Sequence, residues 1–191
     1  MHRPLAIAAV LVVLSGPLGC GSHAPGPETE ALVSAIGNAT RTVLSDDAAA
    51  EADRPAALSA LVHSAARTAA DGRLPEAVRT DLDAASAAAR DRGWLDDACL
   101  SALRSAYSRM SGGAEFSFPP DVGGIESVKE RARGQIDHCV AALRAGRHEE
   151  ATRALVTFLL MVATPVEQSE TGAGSPTTSG STPWYSVREV C

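Results

Sequence analysis

HEEATRALVTFLLMVA, residues 148–163, opens on titratable side chains and closes on a run that is apolar at almost every position. Ala151, Leu155, Phe158, Leu159 and Val162 recur at three- and four-residue steps, the period of one face of an α-helix. Beyond residue 154 the apolar residues fill the other faces as well. A helix apolar all round is buried centrally or used as an interface. The run is far shorter than the ~20 residues a bilayer-spanning helix needs. It is therefore expected as the central helix of an all-α domain.

Working outward, the same period marks its neighbours. Thr29–Leu44 carries Leu32, Ile36, Ala39 and Val43 on one face, and Pro55–Ala70 carries Leu58, Leu61, Val62, Ala65 and Ala69. Pro55 suits a helix start, where its missing N–H is not needed. Pro75–Arg90 is Ala-rich, with Val78, Leu82, Ala85 and Ala89; its helix propensity is high and its packing payload light. Leu95–Met110 places Leu95, Cys99, Leu103, Ala106 and Met110 together, after which SGGAEFSFPPDVGG, residues 111–124, breaks the pattern with Gly and Pro. Ile125–Ala145 follows, with Val128, Ala132, Ile136, Cys139 and Leu143. The expectation is a small Ala-rich helical bundle of about five or six helices over residues 29–164. Hydrophobic residues are 45% of the 191-residue chain but aromatics only 4%, so Ala, Leu and Val must build its core.

The ends read differently. Residues 1–19, MHRPLAIAAVLVVLSGPLG, join a positive start at Arg3 to the apolar run Leu5–Leu14 and then to small residues. This is the layout of a secretory signal peptide. Pro17, Leu18, Gly19 and Cys20 resemble the lipobox of bacterial lipoproteins, with Pro17 where Leu is usual. That resemblance implies a diacylglyceryl group on Cys20, cleavage before it, and a chain exported and anchored to the cell membrane or outer membrane. Ordinary secretion, with a cut after Ser22-His23-Ala24, is the alternative. Residues 20–28 read as the lipid-attachment Cys and a flexible tether. Residues 165–183, rich in Ser, Thr, Gly and Pro, are expected to be disordered. Residues 184–191 carry Trp184 and Tyr185, a candidate docking element, and end in Cys191, which could pair two chains.

The other two cysteines, Cys99 and Cys139, fall on apolar faces of consecutive long helices. In an exported protein that placement leads us to expect a Cys99–Cys139 disulfide, two buried thiols being the alternative. Phe116 and Phe118, on the longest internal loop, are candidate partner contacts. Two turns echo each other, DGRLPEA at 71–77 and AGRHEEA at 145–151; the second resembles the hairpin turn of tetratricopeptide repeats. The two are too far apart in the chain for that 34-residue period, so only a helical hairpin is implied.

The net charge of -6 and the scatter of the Arg residues give no basis for nucleic-acid binding. No metal-ligand spacing, nucleophile elbow or nucleotide-binding loop occurs, so no catalytic residue, metal or cofactor is assigned. A membrane-tethered binding or scaffold domain with an envelope protein partner is the expected function. A helical small-ligand carrier, or an envelope enzyme whose site is assembled from distant residues, is the alternative.

Overall fold

A computed structural model describes residues 25–94, 96–118 and 125–164. Among them are seven helices and no strand: α1 Pro27–Leu44, α2 Ala48–Glu51, α3 Arg54–Asp71, α4 Glu76–Arg92, α5 Asp97–Met110, α6 Ile125–Arg144 and α7 His148–Ala163. The fold is the expected helical bundle. The leader, Cys20, residues 21–24 of the tether, the 165–183 segment, Trp184, Tyr185 and Cys191 lie outside the described residues. Pro27 and Glu28, expected as the end of the tether, belong instead to the first turn of α1, where Pro is accommodated.

Six of the seven helices follow the apolar period within a residue or two of the expected ends. The short α2 does not, because nothing in Ala48–Glu51 is buried. Asp47 accounts for it: its Oδ1 accepts the N–H of Ala49 at 2.9 Å, capping an Ala tract that needs little else. Asp96 caps α5 in the same way, through the N–H of Ala98.

α7 occupies the centre. It packs against α3, α5 and α6, and eleven of its sixteen residues are buried. Phe158, Leu155, Leu159 and Val162 have no exposed surface. Buried side chains of this size each contribute about 1.5–3 kcal/mol relative to exposure. The hydroxyl of Thr152 is buried too, and donates to the carbonyl of His148 at 2.8 Å. α1 packs on α3 and α6, α3 on α4, and α4 on α5. Trp94, beside Gly93 in the α4–α5 turn, is 3% exposed and belongs to the same core.

The long helices run antiparallel to the neighbours they touch. Arg144 at the end of α6 pairs with Glu30 at the start of α1; Arg109 near the end of α5 pairs with Asp81 in α4. One end of the bundle thus gathers the start of α1, the α3–α4 turn and the α6–α7 turn. The other gathers the α1–α2 loop, the α4–α5 turn and the start of α6.

The expected neighbour relation of α5 and α6 is corrected by this arrangement. α5 packs chiefly on α4 and α6 chiefly on α7, with α7 touching both. Cys99 and Cys139 are accordingly free buried thiols and do not bridge. Burial pushes the Cys99 thiol up to about 11, helped by the nearby charge of Asp96, and pushes Cys139 up to about 12.

Candidate functional site

The two echoing turns, far apart in the chain, lie side by side. Between them opens a cleft of about 680 Å³, lined by Asp71, Gly72 and Arg73 from one turn and by Gly146–Glu150 and Arg153 from the other. Gly72 makes the close approach: a Cβ there would stand 3.1 Å from the Cβ of His148.

Charge in the cleft is mostly paired. Arg147 donates to Glu150 at 2.6 Å and Arg153 to Glu149 at 3.2 Å, both along α7's first turns, where the acidic partners also meet the positive end of the helix dipole. His138 reaches Glu150 at 3.8 Å. Arg144 forms a two-pronged pair with Glu30, at 3.0 and 3.2 Å, which holds the Glu30 carboxyl below its ordinary range. Asp71 and Arg73 are exposed and make no ion pair among the described residues. A second cavity of about 230 Å³ lies beside the first, lined by Glu28, Thr29, Leu32, Arg67, Asp71, Leu143 and His148. Asp71 and His148 therefore stand between the two spaces. The buried Nδ1 of His148 has no hydrogen-bond partner.

The opposite end has a smaller cleft of about 330 Å³. It is closed by Lys129, which donates to Asp46 at 2.5 Å and Glu126 at 3.0 Å, and by Arg54, which donates to the Ser45 carbonyl at 2.6 Å. These contacts fasten the α1–α2 loop to α6 and α3. Their effect on acidity is mutual: Asp46 is held down and Lys129 is held up, in each case chiefly by their shared hydrogen bond.

Of the residues expected to contact a partner, Phe116 and Phe118 are in view. Phe116 packs partly on the core and meets Tyr107 edge-on, ring centres 5.5 Å apart; Phe118 meets Phe116 at 5.6 Å. The loop is thereby laid back along α5, with both rings half-buried. They stand apart from the charged cleft and are not among its lining residues.

Sequence reasoning did not find the cleft. Its signal was present in the likeness of the two turns, but likeness alone does not say that they touch. Among the described residues no helix is long and apolar enough to cross a membrane, and no three His, Cys, Asp or Glu side chains gather as a metal site. No family model matches the chain, nor does any curated protein or solved structure.

Proposed function

We propose that this chain is an exported envelope lipoprotein: a helical binding or scaffold domain held on a membrane by the acyl chains on Cys20. One observation carries the reading. Pro17-Leu18-Gly19-Cys20 closes a short leader, and the first helix begins only seven residues after Cys20, at Pro27. A diacylglyceryl group brings two chains, which is what stable anchoring requires. The domain behind it offers surface: exposed charged clefts at both ends and half-buried aromatic rings along α5. That surface suits recognition of a polar partner in the envelope.

The test is Cys20→Ser. The variant is expected to leave the membrane fraction, or to accumulate unprocessed, while the parent protein carries lipid mass on its first residue. A variant that stays membrane-bound at the parent's processed mass would end the lipoprotein reading.

A further inference from the structure

The two ends of the bundle differ in charge. Where α1 begins, Arg67, Arg73, Arg144, Arg147 and Arg153 are matched by Glu28, Glu30, Asp71, Glu149 and Glu150. At the other end Asp46, Asp47, Glu51, Asp53, Asp91, Asp96, Asp97 and Glu126 outnumber Arg41, Arg54, Arg90, Arg92, Lys129 and Arg133. One end is near neutral with mixed signs, and the other is acidic.

We infer that the bundle stands on the bilayer by its mixed-charge end, and that the cleft between the two turns takes zwitterionic phospholipid headgroups. This rests on the lipoprotein reading above. Geometry supplies the orientation. Seven residues, even fully extended, span about 25 Å, and they enter α1 at the mixed-charge end. α6, with its 20 residues, is about 30 Å long. A bundle inverted onto its acidic end would need a tether running that whole length, which exceeds its reach. The acidic end is also the one that an anionic leaflet repels.

Chemistry supplies the ligand class. Arg147 and Arg153 are already neutralised by Glu150 and Glu149. Arg73 and Asp71 remain, exposed, of opposite sign, and both on the cleft. A headgroup with a phosphate and an ammonium complements that pair: the Arg73 guanidinium donates to phosphate oxygens, and the Asp71 carboxylate accepts from or faces the ammonium. An end with balanced charge gives a purely anionic headgroup no comparable advantage.

The experiment uses the processed, lipid-modified protein reconstituted into vesicles of phosphatidylcholine or of phosphatidylglycerol, with protein in non-ionic detergent as reference. Flotation reports attachment, and amide hydrogen exchange read by mass spectrometry reports the face. On phosphatidylcholine vesicles, amide exchange at 72–74 and 145–148 is expected to slow severalfold, with 45–47 and 93–94 unchanged. Arg73→Glu, which breaks no hydrogen bond or ion pair seen among the described residues, should remove most of that slowing while flotation and helical content persist. Slowing at the acidic end, slowing at neither end, slowing only on phosphatidylglycerol, or an Arg73→Glu protein as protected as its parent would each overturn the inference and leave the anchor standing. Protein that neither floats nor carries lipid on Cys20 removes the lipoprotein reading and this one with it.

Discussion

Gly72 and Gly146 hold the same place in two turns that read alike, and each is required for its own reason. Gly146 sits at φ +69°, a conformation that costs other residues about 1–2 kcal/mol. It closes α6 with paired bonds: the N–H of Arg147 donates to the Ala142 carbonyl at 2.8 Å, and that of Gly146 to the Leu143 carbonyl at 2.9 Å. Gly72 has an ordinary φ of -92°; what it lacks room for is a side chain against α7. Gly146→Ala should therefore lower stability by about 1–2 kcal/mol in urea titration, and an unchanged midpoint would contradict the strain argument. The two buried thiols give a second prediction at this scale. The thiolate is the reactive form, and burial keeps it scarce at Cys99 and Cys139. Alkylation near neutral pH should spare both in the native protein and modify both in denaturant. A Cys99–Cys139 crosslink in non-reducing peptide maps would show that the helices approach in a way this packing does not permit.

Between elements, α7 contributes most. Leu155 has no exposed surface, and Leu155→Ala should cost about 2–5 kcal/mol, read as a shifted urea midpoint. In the native protein the amides of its second half should exchange only through global unfolding, and faster exchange there than in α4 would show that α7 is not central. The α3–α4 contact carries a pH signature. Nδ1 of His63 lies 2.6 Å from the Ser86 hydroxyl. Burial, with the charge of Arg90, lowers this imidazole from its ordinary 6.5. The folded state therefore resists a proton that the unfolded chain accepts, so His63's contribution is full above about 6.5 and is lost as pH falls from there through the folded value. Stability measured by urea should decline across that window, and His63→Gln should flatten the decline.

The elements were legible because burial imposes a period: Leu58, Leu61, Val62, Ala65 and Ala69 cannot share a face in any other secondary structure. Where burial is absent the period is silent, which is why Ala48–Glu51 went unread despite the Asp47 cap. Trp94 went unread as core because it stands in a turn, outside any period.

At the scale of the molecule, sequence adjacency misleads. α5 and α6 follow one another and were expected to pair, yet α5 packs chiefly on α4 and α6 chiefly on α7. The same non-local packing builds the cleft, which joins turns from opposite halves of the chain. Neither result can be read from a period within one helix. A whole-molecule prediction follows from α7's position. A chain truncated after Arg147 retains six helices but loses the surface around which three of them pack. It should show weak helicity, no cooperative unfolding and rapid proteolysis; a compact, protease-resistant fragment would show that α1–α6 form a core of their own.

The central helix is also the last of the seven to leave a ribosome or a translocation channel. Until Leu155–Val162 arrives, α3, α5 and α6 lack the central face on which all three pack, although α1, α3, α4 and α5 already have one another. On the proposal that residues 1–19 are an export leader, the chain would cross its membrane unfolded. Placing this helix last would then act as a timing device. On that same proposal it would defer completion of the core until nearly the whole bundle had crossed.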